Sequence, residues 1–198
     1  MAGKARNGRA AILDSATRLF TKVGYHGTSI RDIASDASLT VPSIYYHFAS
    51  KQEILQQIMV GILEEVHAET IEALEKADDT ATARLEALVR LWILFHIRRQ
   101  SPATVGASEI RSLDEEGLTK IVDLRDRQER LFRTVVADGI ESGEFETPHP
   151  LEAARAIINM GRSIVSWYRP NGRTGADELA DQYAELALAM VRARPSQD

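Results

Sequence analysis

Thr28, Thr40 and Ser50 each stand just ahead of a run of apolar residues at helical spacing, and all three are side chains suited to a helix N-terminus. The pieces they delimit have room for about two turns each, and a helix that short buries no core alone. Such pieces must pack against a longer neighbour. Thr28 is positioned to cap a helix whose apolar face is Ile30, Ile33, Ala34 and Ala37. Thr40 is positioned to cap one carrying Val41, Ile44, Tyr45 and Phe48, with Pro42 tolerated in its first turn. Ser50 followed by Glu53 forms a capping-box pattern that opens a longer helix at Lys51. Upstream, Ile12, Leu13, Ala16, Leu19, Phe20 and Val23 recur at helical spacing, and Gly24 stands where a left-handed cap ends that helix.

The same periodicity continues to the end. From Lys51, Ile54, Leu55, Ile58, Met59, Ile62, Leu63 and Val66 share one face until the polar stretch "EKADDTAT". Further helices are expected over 82–99, 103–112 and 115–142, the last ended by Gly143. Another is expected to open at Thr147 and Pro148 and run through Tyr168, and "RPNGRTG" then breaks the chain before a final helix over 175–193. No segment alternates with period two for long enough to make a strand. The expected fold is all-α with about nine helices, divided into residues 1–50 and 51–198.

The charge is divided along the same line. The net charge of −5 comprises +4 over residues 1–51, with seven Lys/Arg against three acids, and −9 over the remainder. A basic module on an acidic body points to a polyanionic partner held at one end. No apolar run approaches the ~20 residues needed to span a bilayer, and "MAGKARNGRAA" lacks the apolar stretch of a secretion signal, so a cytoplasmic protein with no membrane partner is expected. The chain has no cysteine, which removes disulfides and thiolate chemistry. The five histidines are dispersed, and Glu65, His67 and Glu69 scatter around a helix instead of converging on a metal; no metal and no cofactor are expected. Ser163 in "GRSIV" has no second glycine after it and lies within a helix, so no nucleophile elbow is present, nor is a phosphate-binding loop or dinucleotide fingerprint. A helical enzyme is the rival class, and it has no catalytic constellation to support it.

Two short helices joined by "ASL" make a helix-turn-helix, whose second helix lies in the DNA major groove. Ile44 and Phe48 face inward, leaving Thr40, Pro42, Ser43 and Tyr46 outward. The Tyr45 and Tyr46 hydroxyls and the His47 ring are suited to phosphate oxygens, and Thr40 and Ser43 let the backbone approach bases. Lys51 adds a cation in the first turn of the next helix, and Lys4, Arg6 and Arg9 form a basic arm. Tyr45 is equally placed to pack against the first helix, and His47 to be a structural histidine.

Residues 12–55, "ILDSATRLFTKVGYHGTSIRDIASDASLTVPSIYYHFASKQEIL", resemble the DNA-binding region of the tetracycline-repressor (TetR) family of bacterial transcriptional regulators. The resemblance implies that Thr28, Arg31, Thr40, Ser43, Tyr45, Tyr46, His47 and Lys51 fall where family members contact a double-stranded DNA operator. Pro42 departs from the pattern, standing where glycine is common. The resemblance also implies a two-fold homodimer whose body holds a pocket for a small effector. The longest apolar faces, carrying Ile164, Trp167, Leu179, Tyr183, Leu186 and Met190, are the candidates for the dimer interface; about half would serve equally as monomer core.

"SWYRPNG", with "QYAELAL" downstream, is similar to a branch of that family that represses fatty-acid and steroid catabolism in actinobacteria and responds to acyl-CoA thioesters. An acyl-CoA needs an apolar tunnel with cationic groups at its mouth. Trp92, Phe95, Ile121, Leu124, Phe132 and Ile158 are candidate walls; His96, Arg98, Arg99, Arg125, Gln128 and Arg162 are candidate polar ends. Arg162 lies on an otherwise apolar helix face, where a guanidinium needs an anionic partner, either a ligand or a protein carboxylate. A multidrug-type or other apolar effector is the alternative ligand class.

Overall fold

The computed structural model describes residues 2–193, with side chains from Gly8 onward. Among the described residues there are nine α-helices, one 3-10 turn and no strand. None of the helices is long and apolar enough to cross a membrane. The packing divides the chain into two compact units, Met1–Ile62 with Ser101–Asp123, and Leu63–Gln100 with Leu124–Asp198.

The first unit is built on α1 (Ala2–Val23), α2 (Ile30–Asp36) and α3 (Val41–His47), which all touch one another. Ile12, Ala16 and Phe20 of α1 meet Ile33, Ala34, Ile44 and Phe48 in a core closed to solvent. Gly24, at a φ of +81°, ends α1 in the left-handed conformation the sequence requires of it. The cap of α2 differs from expectation by one residue. Ser29, not Thr28, takes the N-cap and forms a full capping box with Asp32; the Thr28 hydroxyl donates instead to the Gly24 carbonyl at 2.9 Å. Between α2 and α3, Leu39 N–H reaches the Ala34 carbonyl at 2.8 Å and Ser38 N–H the Ser35 carbonyl, a Schellman closure with Ser38 at a φ of 54°. Thr40 caps α3 as expected.

α4 (Lys51–Lys76) begins where the sequence places it. Half of the expected box forms as written, with the Ser50 hydroxyl accepting from Glu53 N–H at 3.1 Å; the Glu53 carboxylate reaches one residue further back, to Ala49 N–H at 2.6 Å. α6 (Gln100–Ser108) and the 3-10 turn Ile110–Ser112 split the single short helix expected near 103–112, and Pro102 sits inside the first turn of α6. α4 and α7 (Glu115–Glu141) each contribute residues to both units.

In the second unit, α5 (Ala81–Arg98) packs on α8 (Pro150–Trp167) and α9 (Ala176–Met190). Ala180, Ala184 and Ala187 put methyl groups on the buried face of α9 beside Leu179, which lets α5 approach closely. On α8 the same role falls to Gly161, where a Cβ would stand 2.1 Å from Cδ1 of Trp92. The Trp92 indole N–H donates to the Ile158 carbonyl at 3.0 Å, so the ring is held both by contact and by its polar edge. α8 starts later than expected. Pro150 opens it, His149 precedes it without a side-chain cap, and Thr147 accepts only from His149 N–H in the turn before.

The N-terminus of α5 has a second acceptor that its local sequence does not announce. Thr80 caps Ala83 N–H, while Glu144, in the loop after α7, accepts from Ala81 N–H (3.0 Å), Thr82 N–H (2.9 Å) and the Thr82 hydroxyl (2.9 Å). Burial pushes the Glu144 carboxyl up, but the bonds from Ala81, Thr82 and Ser142 outweigh it and hold it below the ordinary 4.5. A carboxylate lowered in the folded state contributes stability that is complete above 4.5 and is lost as pH falls through the lower folded value.

Glu144→Ala is therefore expected to lower stability by about 1 kcal/mol near neutral pH. The difference from wild type should close in acid, as read by urea unfolding at about pH 7 and about pH 3. Gly161→Ala forces a methyl into the Trp92 ring and is expected to cost about 1–3 kcal/mol. The same unfolding curves, with tryptophan fluorescence as a second readout, check it.

Candidate nucleic-acid interface and ligand site

α3 is too short to hold itself in place, and its two ends are fixed differently. At the start, the Thr40 hydroxyl accepts from Ser43 N–H at 3.3 Å and lies 2.9 Å from the Ser43 hydroxyl. At the end, Phe48 is buried and covered by the guanidinium of Arg9, 5.1 Å from the ring centre. Between these anchors Ile44 faces the core, which turns the opposite face to solvent. Tyr46 is 80% exposed and Tyr45 is 55% exposed, so both aromatic side chains are surface groups and Tyr45 is not packed against α1. Pro42 of α3 and Arg31 of α2 are exposed as well.

Several expected contact residues turn out to be engaged within the unit. Thr28 is buried, its hydroxyl and carbonyl both occupied. Lys51 donates to the carbonyls of Tyr25 (2.9 Å) and Thr28 (2.8 Å), with its ammonium 4.2 Å from the Tyr25 ring centre. The Arg9 guanidinium also donates to Gln57 at 2.7 Å, so Arg9 packs on the helical unit and does not hang from it as an arm. His47 is half-buried, with its ring edge-on to Tyr46 at 5.0 Å and its Nε2 beside Gly8 of α1, where a Cβ would come within 2.9 Å. The side chains of Lys4 and Arg6 lie outside the described residues.

The second unit brings most of the expected pocket residues together. Trp92 stacks edge-on against His96 (4.4 Å) and Phe132 (5.4 Å), Phe95 lies 6.0 Å from His96, and Ile158 receives the Trp92 indole. All five are buried. Burial drives His96 down to about 4, against a bond to the Trp92 carbonyl that favours protonation, and the nearby Arg162 adds to the fall. His96 is therefore neutral at pH 7. Burial also lowers Arg162, with the Glu129 carboxylate partly offsetting it; Arg125 is lowered by burial and by Arg162. A guanidinium does not give up its proton, so these shifts measure the cost of holding two cations close together away from water. Glu129 is already approached by Arg133 and by Arg155 at 3.3 Å, and no ion pair among the described residues includes Arg162.

Three expected pocket groups belong elsewhere. Arg98 pairs with Glu69 at 2.6 Å and Arg99 with Glu65 at 2.7 Å, on the surface. Gln128 is buried in a hydrogen-bond chain that occupies both ends of its amide. Arg127 Nε donates to His67 Nε2 (3.0 Å), which leaves the ring proton on Nδ1 to face Gln128 Oε1 (3.1 Å); Gln128 Nε2 then donates to Thr70 (2.9 Å), and Thr70 to the Val66 carbonyl (2.7 Å). His67 and Thr70, one turn apart on α4, were the available sequence signal for this chain. Of the six expected interface residues, Ile164 and Leu179 are buried in the subunit's own core. Trp167 and Leu186 are exposed, with Tyr183 and Met190 half-buried.

Residues 12–58 match the bacterial regulatory proteins of the tetR family, and residues 78–191 match the tetracyclin repressor-like C-terminal domain. The chain is 30% identical over 182 residues to the HTH-type transcriptional repressor KstR2 of Rhodococcus jostii, covering 91% of this chain and 89% of that protein. The structure of the ketosteroid transcriptional regulator KstR2 of Mycobacterium tuberculosis superposes with a TM-score of 0.85 at 25% identity, covering 94% of this chain and 95% of that one. AibR in complex with isovaleryl coenzyme A and operator DNA has the same fold, with a TM-score of 0.84 at 22% identity over 94% of this chain and 100% of that one. The helix-turn-helix and the helical C-terminal part are thus matched separately and together, and the chain belongs to the TetR family of bacterial transcriptional regulators.

Proposed function

We propose that this regulator is a repressor that binds a palindromic operator as a two-fold dimer and is released by an acyl-CoA thioester. Residues 1–50 read the DNA, and residues 51–198 hold the effector and the dimer face. The observation that carries the effector reading is Arg162, a half-buried guanidinium near Arg125 with no ion-pair partner among the described residues. Burial lowers Arg162, and its charge in turn lowers Arg125; an anion brought to Arg162 would offset that cost. The Trp92, Phe95, Phe132 and Ile158 cluster offers the apolar part of such a ligand a buried lining. A neutral multidrug-type effector would bring no anion to Arg162, which is why the thioester is preferred. The complex named for AibR, with isovaleryl coenzyme A and operator DNA, and the repressor name of the KstR2 relative support the same reading.

On the DNA side, Arg31, Thr40, Pro42, Ser43, Tyr45 and Tyr46 meet the duplex, while Arg9, Thr28, His47 and Lys51 hold the helices that present them. Trp167, Leu186 and the exposed Leu151, with Tyr183 and Met190 beside them, form the dimer face. Ligand control is a population shift. Carrying the dimer from mostly bound to mostly released takes a differential affinity of about 5.5 kcal/mol. Each buried methylene contributes about 0.8 kcal/mol, so a medium acyl chain supplies it.

Fluorescence anisotropy of the full chain on a duplex selected from a random pool tests this reading, with straight-chain and steroid-type CoA thioesters added, and free coenzyme A and free acids as controls. A thioester should release the duplex, and the duplex affinity itself should fall steeply with salt. Arg162→Gln should weaken the thioester's effect at least about tenfold. With His96 already neutral, that effect should stay flat between about pH 6 and about pH 8. Unchanged duplex affinity with every thioester, or an Arg162→Gln variant released as readily as wild type, would overturn it.

A further inference from the structure

The two ring nitrogens of His96 are in different situations. Nδ1 lies 2.8 Å from the carbonyl of Trp92, one turn back on α5. A carbonyl only accepts, so the ring proton sits on Nδ1 and is donated to it, which leaves Nε2 as a lone pair. Burial holds His96 down to about 4, so Nε2 gains no proton near pH 7.

No described protein group donates to Nε2. The Trp92 indole N–H, in the ring edge-on to His96 at 4.4 Å, is spent on the Ile158 carbonyl. Phe95 and Phe132 have no donor. The Arg162 charge is felt at His96, but among the described residues the hydrogen bond of His96 goes to Trp92. Although His96 is 8% exposed, its Nε2 is not sealed: the unbonded side-chain atoms closed to solvent among the described residues are Gln52 Oε1 and Arg133 Nε. An acceptor with no donor, reachable within an apolar cluster, discriminates between ligands. An O–H or N–H placed there makes a hydrogen bond, whereas a carbonyl or carboxylate oxygen meets a lone pair and is disfavoured.

We infer that His96 Nε2 accepts a hydrogen bond from an O–H or N–H of the bound effector, and that this bond selects ligands carrying such a donor beside the apolar part that Trp92, Phe95 and Phe132 enclose. The inference rests on the reading of this cluster as the thioester site and adds the group that sets its specificity. Coenzyme A thioesters offer the donor from two sources, the hydroxyl and amide groups of the arm that all of them share, or a hydroxyl on the acyl chain.

The test is NMR of the full chain labelled with heavy nitrogen in its histidines, where an unprotonated ring nitrogen moves upfield on accepting a hydrogen bond. The His96 signals are identified by their loss in His96→Phe or His96→Gln, and saturated and β-hydroxyacyl thioesters of equal chain length are added. A thioester that releases the duplex should move Nε2. Movement with both forms places the donor on the shared arm. Movement with the β-hydroxyacyl form alone places it on the acyl chain, and that form should then release the duplex at about tenfold lower concentration. His96→Phe, which keeps a ring in the cluster without the acceptor, should need about tenfold more of the more effective thioester once far-UV circular dichroism shows it folded. Release of the duplex with Nε2 unmoved overturns this inference alone, as does a folded His96→Phe released as readily as wild type. No release by any thioester overturns the effector reading and this inference with it.

Discussion

The ammonium of Lys51 holds together the helices of the trihelical unit. It stands in the first turn of α4, yet its hydrogen bonds go to the carbonyls of Tyr25 and Thr28, between α1 and α2, and the Tyr25 ring lies under it. One cation thereby ties the helix after α3 to the segment before α2. With Phe48 buried under Arg9 and Thr40 capping the opposite end, α3 has no freedom to roll, although its seven residues could not hold a helix in isolation. The face it turns to solvent follows from that clamp. Lys51, expected at a phosphate, is thus engaged within the unit through two backbone carbonyls.

The second unit has a corresponding constraint in the seat of Trp92 on Gly161. The missing side chain at Gly161 admits the indole, and the indole brings His96 and Phe132 into one cluster. Burial keeps His96 neutral there, so the positive charge of the region comes from Arg125 and Arg162. The proposed effector, an anion with an apolar tail, is drawn from these neutral buried aromatic side chains and the two guanidinium groups near them.

Much of this was legible in the amino-acid sequence, and the parts that were not share a cause. Helix order, the cap at Thr40, the left-handed Gly24 and the start of α4 follow from local spacing, because each depends on residues within a turn or two of one another. The α2 cap falls on Ser29 next to the expected Thr28, and α8 opens at Pro150 where Thr147 and Pro148 offered an earlier start; in both, candidates close in sequence compete and tertiary packing decides. What spacing could not convey was pairing across the chain. Nothing local assigns Glu144 to the start of α5, Gln128 to His67 and Thr70, or Arg99 to Glu65. Among the expected contact residues, burial separates Tyr46, which faces solvent, from Thr28, which does not, and spacing alone does not.

The central claim is that the trihelical unit, present twice in a symmetric dimer, places α3 in successive major grooves on one side of the duplex. Guanine N7 methylation protection of the selected duplex by the full chain reads this directly. The account requires two protected major-groove patches, on the same face and about 10–10.5 base pairs, or a multiple of that, apart. A single patch, or guanine N7 left open to methylation throughout the bound duplex, would contradict it.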